Sequence, residues 1–170
     1  IYEKVITNNR GGFCYELNGL FYELLTKIGY QTKRISARVL DERKRIYGPE
    51  FDHLAIIVQL DGHDYLVDVG CGDFILQPLL FQLDVLQQDP AGVFRIVQHD
   101  EDYFRVEKQV GEVWDPEYIF TTTAREYEDY TAMCHYQQTH PDSYFISGRL
   151  CTLAKAFGRV TMKGDVLKIT

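Results

Sequence analysis

The chain has 170 residues, 12 of them Tyr and 10 Phe, with 18 Lys and Arg against 25 Asp and Glu and a formal charge of −7 at pH 7; that is enough for one substantial domain or two small ones. The acidic balance argues against a general nucleic-acid binder, which carries a basic face, no apolar run is long enough to cross a membrane, and no stretch has the form of a signal peptide. The four cysteines, Cys14, Cys71, Cys134 and Cys151, make neither a Cys-x-x-Cys pair nor a dense framework, which speaks against zinc and fits a reduced, cytoplasmic setting.

Ile1 to Thr7 has the pattern of the end of a helix, with Ile1 and Val5 on one face, broken at Asn8-Asn9. Arg10-Gly11-Gly12-Phe13-Cys14 then makes a sharp turn, since glycine accepts backbone angles that other residues avoid. A helix begins at once, with Leu17, Leu20, Phe21, Leu24, Leu25 and Ile28 at the helical period and Gly29 as its stop. Cys14 is therefore expected at a helix N-terminus, where unpaired N–H groups and the positive end of the dipole favour a thiolate, the reactive form of cysteine. Arg10 and Glu16 bracket the turn and are expected to pair and brace it. Tyr30 to Leu40 is a strand carrying Lys33, Arg34 and Arg38, with Val39 near its end. Residues 41–50, including Arg43-Lys44-Arg45 and the Gly48-Pro49 turn, form a charged, solvated loop.

The run from His53 to Gly70 is two β-type segments around Asp61-Gly62, a strong hairpin signal. With a two-residue turn, Leu60 faces His63, Asp68 faces Ala55 and His53 faces Gly70. His53 and Asp68 then share a face as diagonal neighbours, roughly 7–8 Å apart at the backbone and within side-chain reach. A one-residue bulge would put them on opposite faces. After Gly70-Cys71-Gly72, the apolar residues of 78–88 are irregularly spaced. Residues 93–97 and 103–108 form a second hairpin around an acidic turn, and 113–120 is another strand. Thr123-Ala124-Arg125-Glu126 matches a capping box, followed by a helix through Tyr127, Tyr130 and Cys134 that ends before Pro141. Short strands around Gly158 and Lys163-Gly164 close the chain.

Most free cysteines are inert, small, buried hydrophobes. Cys14 stands apart because the hairpin supplies partners of the right kind. A carboxylate beside an imidazole sets its tautomer and stabilises the imidazolium, and an imidazole beside a thiol takes its proton. Cys14, His53 and Asp68 fill the roles of nucleophile, base and orienter, although spacing does not dictate the contact between helix and hairpin.

Arg10-Gly11-Gly12-Phe13-Cys14-Tyr15-Glu16-Leu17-Asn18, then Asp52-His53-Leu54-Ala55-Ile56-Ile57-Val58, then Tyr65-Leu66-Val67-Asp68-Val69-Gly70-Cys71-Gly72 resembles the arylamine N-acetyltransferase family. The resemblance implies Cys14, His53 and Asp68 as the catalytic triad. It implies Phe13, Val39, Cys71 and Gly72 as substrate-binding residues, Arg10 and Glu16 as structural support, and no metal. The family usually has Phe where this chain has Cys71, which bears on substrate preference and leaves the triad untouched. The implied chemistry is acetyl-CoA-dependent acetylation of arylamines or arylhydrazines through an acetyl-Cys14 thioester, in the cytoplasm, with coenzyme A and a small-molecule amine as partners and neither nucleic acid nor membrane. An anionic cosubstrate on so acidic a chain needs a local basic or amide-lined site. Other uses of a Cys-His-Asp triad, an amide synthase or a transglutaminase- or papain-like hydrolase, stay open, as does a non-catalytic fragment. The expected fold class is α+β. Its parts are the end of a helical domain with the nucleophile over 1–32, an antiparallel β-barrel or sheet with His53 and Asp68 over 33–122, a connecting helix over 123–141, and the start of an α/β lid-like domain over 142–170. Against the family the chain resembles a middle portion, lacking a helical pair in front and part of the last domain behind.

Overall fold

In the computed structural model, which describes residues 1–41, 44–146 and 148–170, Asp61 and Gly62 both take left-handed backbone angles, with φ of 51° and 78°. That is the geometry of a type I′ turn, whose twist matches the strands it joins. Strands β3 (His53–Leu60) and β4 (His63–Val67) pair with Leu60 opposite His63 and Ile56 opposite Val67, the register expected for a two-residue turn. The ladder stops there, so Asp68 leaves the strand and enters the Gly70-Cys71-Gly72 turn. Arg43, in the charged loop expected over 41–50, lies outside the described residues. Within that stretch Ile46–Tyr47 (β2) pairs with the end of β1 (Gln31–Asp41).

The chain divides into two units, Ile1–Tyr130 and Thr131–Thr170. In the first, β1 lies between β3 and β9 (Val113–Phe120). The sheet runs on through β8 (Phe104–Val110), β7 (Gly92–Gln98) and β6 (Gln87–Asp89), while β5 (Leu79–Leu80) flanks β4 at the other end. Its two ends nearly close into a barrel. Leu80 donates its N–H to the Gln87 side-chain carbonyl at 2.7 Å, and the Gln87 amide donates back to the Leu80 carbonyl at 2.9 Å. Inward residues from every long strand fill the interior, among them Ile35, Ala37, Ala55, Ile57, Leu66, Ile96, Val106 and Phe120. Phe74, fully buried, meets Phe94 and Tyr118 with ring centroids at 5.6 and 5.0 Å.

Helix α1 (Cys14–Lys27) packs outside the barrel on β1 and β3. This is why His53 to Val58 is buried continuously rather than alternately: one face of β3 looks into the barrel and the other lies under the helix. Tyr15, Asn18 and Gly19 form the buried face of α1, while Leu24 and Ile28 of the leucine-rich stripe are exposed. Before α1, Glu3–Thr7 forms a single π-helical turn in which Asn8 N–H bonds the Glu3 carbonyl at 2.9 Å.

A β-bulge lies at Glu117, where β9 carries one residue more than β8. Trp114 stacks on the Arg95 guanidinium at 4.1 Å on the outer face, yet Tyr118, an even number of residues on, is fully buried inside. The extra residue reverses the alternation. At Thr123-Glu126 the observed cap differs from a capping box. Glu126 N–H is held by the Asp129 carboxylate at 2.9 Å, and the first turn, Tyr127–Tyr130, is 3₁₀. Competition from Asp129, itself one turn downstream, accounts for this. In the second unit α2 (Thr131–Thr139) precedes an antiparallel meander of β10 (Leu150–Lys155), β11 (Gly158–Lys163) and β12 (Val166–Ile169).

Replacing Phe74 by Ala removes the central ring of the barrel interior, and large-to-small aromatic changes at such sites cost about 3–5 kcal/mol. Urea denaturation of the Phe74→Ala protein should show a loss of that order; a loss below about 1 kcal/mol would mean that the interior collapses into the space.

Candidate active site

Phe13 is extended, with ψ of 166°, and the helix starts at the next residue, Cys14. The start is enforced by Glu16, whose carboxylate accepts the Phe13 N–H at 3.1 Å and also binds the Lys4 ammonium at 2.6 Å. Glu16 therefore takes Lys4, not Arg10, as its charged partner. The physical reason lies upstream. Asn9 adopts a left-handed φ of 49°, the chain doubles back, and Arg10 N–H bonds the Lys4 carbonyl at 3.0 Å. Lys4 is thereby brought over the turn that Arg10 was expected to brace.

Asn18 lies one helical turn after Cys14 and so faces the same way. Its amide donates to the Leu54 carbonyl at 2.6 Å and to Asp68 Oδ1 at 2.8 Å, and its carbonyl accepts the Val69 N–H at 2.8 Å. This single buried side chain ties α1 to the strand that carries His53 and to the turn that carries Asp68. The Tyr15 hydroxyl adds a second tie, shared between the Phe51 and Asp52 carbonyls, each at 3.0 Å. The turn itself comes very close to the helix. A side-chain carbon on Gly70 would stand 2.6 Å from Cys14 Cα and 2.7 Å from the Asn18 amide nitrogen, so only glycine fits.

His53 and Asp68 are both buried, and His53 Nε2 meets Asp68 Oδ2 at 2.6 Å. The other carboxylate oxygen, Oδ1, accepts three donors: the Asn18 amide at 2.8 Å, Gly70 N–H at 2.8 Å and Cys71 N–H at 3.0 Å. Burial pushes the Asp68 carboxyl upward, but the His53 charge and these hydrogen bonds outweigh it and hold the group below its ordinary value. For His53, burial pushes downward. The Asp68 carboxylate, and after it the neighbouring Cys14, overcome this and raise the imidazole well above its ordinary range. With Nε2 engaged by Asp68, Nδ1 is the nitrogen left for Cys14. The Tyr118 ring packs on the imidazole with centroids 5.6 Å apart, and its phenol is pushed well up, first by burial and then by Asp68. It stays protonated and neutral at physiological pH.

The structure thus brings Cys14, His53 and Asp68 to one place. Phe13 is half-buried as the residue capping α1, with its ring edge-on to Tyr15. Val39 pairs with Tyr118 across β1 and β9. Val39 and Cys71 both pack against the barrel interior, and Gly72 follows in the turn. Among the described residues no cluster of three or more His, Cys, Asp or Glu side chains is arranged to hold a metal ion, and no helix is long and apolar enough to cross a membrane.

A family model described as N-acetyltransferase matches residues 1–170. An arylamine N-acetyltransferase of Mycolicibacterium smegmatis is 32% identical over 99% of this chain and 62% of its own length. The arylamine N-acetyltransferase of Mycobacterium marinum, solved in complex with CoA, superposes with a TM-score of 0.89 at 29% identity, over 98% of this chain and 62% of that one. The NAT3 arylamine N-acetyltransferase of Bacillus cereus, described as having a unique Cys-His-Glu catalytic triad, gives a TM-score of 0.90 at 26% identity over 99% of this chain and 67% of that one. The chain belongs to the arylamine N-acetyltransferase family. It spans a little over three fifths of the length of the M. smegmatis relative.

Two residues of the site escape sequence reasoning. Asn18 lies inside the motif, and its signal is an asparagine, a poor helix former, four positions after Cys14. Tyr118 carried no signal at all, since the bulge at Glu117 decides which way it faces.

Two predictions follow from the turn and from the buried pair. Gly70→Ala forces the turn away from Cys14, at an overpacking cost of about 1–3 kcal/mol, and alkylation of Cys14 by iodoacetamide at pH 7 should slow; an unchanged rate would mean that the close approach is dispensable. The pH dependence of stability carries a sign from each partner. His53, raised in the folded state, contributes stability that is complete below about pH 6.5 and is lost as pH rises through its higher folded value. Asp68, lowered in the folded state, contributes stability present above about pH 3.9 and lost as pH falls through its folded value. Urea titrations across pH should therefore show a decline on the alkaline side that His53→Gln flattens; equal slopes in both proteins would contradict a charged His53.

Proposed function

We propose that this chain carries the catalytic half of an acetyl transfer from acetyl-coenzyme A to an aromatic amine or hydrazine, by way of a thioester on Cys14. The observation that supports it most directly is the buried His53–Asp68 contact at 2.6 Å beside a cysteine at the first position of a helix. In this reading Asp68 holds the imidazole by Nε2, and His53 takes the Cys14 proton at Nδ1. The Cys14 sulfur attacks the acetyl carbonyl carbon, and the carbon–sulfur bond to coenzyme A breaks. The departing thiolate receives the proton from His53. The amine then attacks the acetyl-enzyme, the Cys14 sulfur leaves, and His53 accepts the proton that the nitrogen loses. The two half-reactions give ping-pong kinetics. The Cys14 backbone N–H, unpaired at the helix start, is suited to hold the oxyanion.

Phe13, Val39, Cys71 and Gly72 are proposed to line the acyl and amine site. A cysteine at position 71 leaves more room there than a phenylalanine ring and bears on acyl-chain and amine preference. Coenzyme A as the donor is supported by the M. marinum relative, which was solved with CoA, and the arylamine acceptor by the names of the relatives. A cytoplasmic location is proposed from the four free cysteines.

Intact-mass spectrometry after mixing the protein with acetyl-coenzyme A tests the proposal. One acetyl group should appear on Cys14, be discharged by an added arylamine, and be absent from Cys14→Ala. Acetylation of the Cys14→Ala protein at the normal rate would sink the reading. Asp68→Asn should lower the acetylation rate by roughly 10²–10⁴-fold, the usual range for loss of a positioned acid–base group, in a protein shown by circular dichroism to be folded.

A further inference from the structure

The Cys14 site holds a second thiol that the acyl-transfer chemistry does not use. Cys71 sits in the turn whose Gly70 presses on Cys14. The 2.6 Å separation between a Gly70 side-chain position and Cys14 Cα puts the Cys71 Cα within about 8 Å of Cys14 Cα by standard backbone dimensions. Disulfides span about 4.4–6.8 Å between Cα atoms, so a small adjustment of the turn suffices. Asp68 Oδ1 anchors that turn through the Gly70 and Cys71 N–H groups, and Gly72 follows Cys71. Both cysteines are half-buried and neither is in a disulfide. We infer that Cys71 is a resolving thiol for Cys14, so that oxidation of Cys14 by a hydroperoxide ends in a reversible Cys14–Cys71 disulfide.

The inference rests on the reading of Cys14 as an ionised nucleophile beside His53. In the first step the Cys14 thiolate attacks the terminal peroxide oxygen. A sulfur–oxygen bond forms, the oxygen–oxygen bond breaks, and the leaving alkoxide or hydroxide takes the proton of the His53 imidazolium. Cys14 is now a sulfenic acid and His53 is neutral. In the second step Cys71 gives its proton to His53 and attacks the Cys14 sulfur. The disulfide forms, the sulfur–oxygen bond breaks, and the hydroxide departs as water with the proton from His53. The peroxide is reduced, and the two thiols are oxidised.

Electrostatics order the two steps. In the resting site Cys71 is held as a neutral thiol, first by burial and then by the negative charges of Asp68, Glu117 and Cys14. It therefore does not compete with Cys14 for the peroxide. Once Cys14 is a neutral sulfenic acid, one of those three charges is gone, and Cys71 is freer to ionise. Closing the disulfide withdraws Cys14 from the irreversible sulfinic and sulfonic steps of the oxidation ladder.

The test uses protein carrying Cys134→Ser and Cys151→Ser, treated with hydrogen peroxide, quenched with N-ethylmaleimide and read by intact mass and peptide mapping. The expected result is the loss of two hydrogen atoms, a linked Cys14–Cys71 peptide, no alkylation at either cysteine, and full reversal by dithiothreitol. With Cys71→Ser added, Cys14 should instead gain two or three oxygen atoms that dithiothreitol does not remove. Sulfinic or sulfonic Cys14 together with alkylated Cys71, in protein that still has Cys71, overturns the inference. Acetyl-coenzyme A loading of an untreated, reduced portion of the same protein separates it from the reading above. Loading without the crosslink overturns the resolving role alone, the crosslink without loading overturns acetyl transfer alone, and neither overturns both.

Discussion

The Asp68 carboxylate is the constraint on which the site depends. An ionised carboxylate in a buried position is unfavourable by several kcal/mol unless it is paired and fully hydrogen-bonded. Asp68 meets both conditions, with one oxygen on His53 and three donors on the other. Those donors come from α1 and from the turn after β4, while His53 opens β3. Satisfying one charge therefore requires helix, strand and turn to meet at one point. Cys14, at the tip of that helix, arrives beside His53 as a consequence.

A buried ion pair of this kind is poor evidence for stability. Its Coulombic gain is largely offset by desolvation, and an apolar replacement of both partners is often neutral or better. What the pair secures is position and charge. His53 is fixed at Nε2, its other nitrogen is left for Cys14, and its proton affinity is raised by a carboxylate that cannot relax away. The stability of the unit comes from elsewhere, from the aromatic and aliphatic interior of the nearly closed barrel. The Asn18 side chain links the two regions, because both its amide N–H groups and its carbonyl join α1 to β3 and to the Asp68 turn.

The acidic character of the chain bears on the site only locally. The negative groups acting on Cys71 include Asp68 and Glu117. Asp68 is paired with the His53 imidazole. The balance leaves Cys14 next to a cation and Cys71 among anions. Burial and those negative groups push the Cys71 thiol up, while Cys14 stands at the helix N-terminus beside His53.

Much of this was legible in the order of residues. Asp61-Gly62 between two β-type runs signalled the hairpin and, for a two-residue turn, the register that pairs Leu60 with His63, while Asp68 reaches His53 from the turn after β4 rather than from the ladder. Gly11-Gly12 before Cys14 and the apolar period after it pointed to a helix beginning at Cys14. The three motifs together pointed to the family. Other features depended on contacts between distant segments. Glu16 meets Lys4 because a left-handed Asn9 folds the chain back, a competition between two cations that spacing does not rank. Tyr118 faces the imidazole because a bulge at Glu117 reverses the alternation of β9, and a bulge is invisible in a hydrophobic pattern. The approach of α1 to the hairpin, the triple acceptance at Asp68 and the nearness of Cys71 to Cys14 are all matters of packing. Local sequence determined the elements and the chemistry each could bring, since turns and periodicities are set by neighbouring residues. Only the tertiary structure decided which of those chemistries meet, since burial of a charge is settled by every segment that surrounds it.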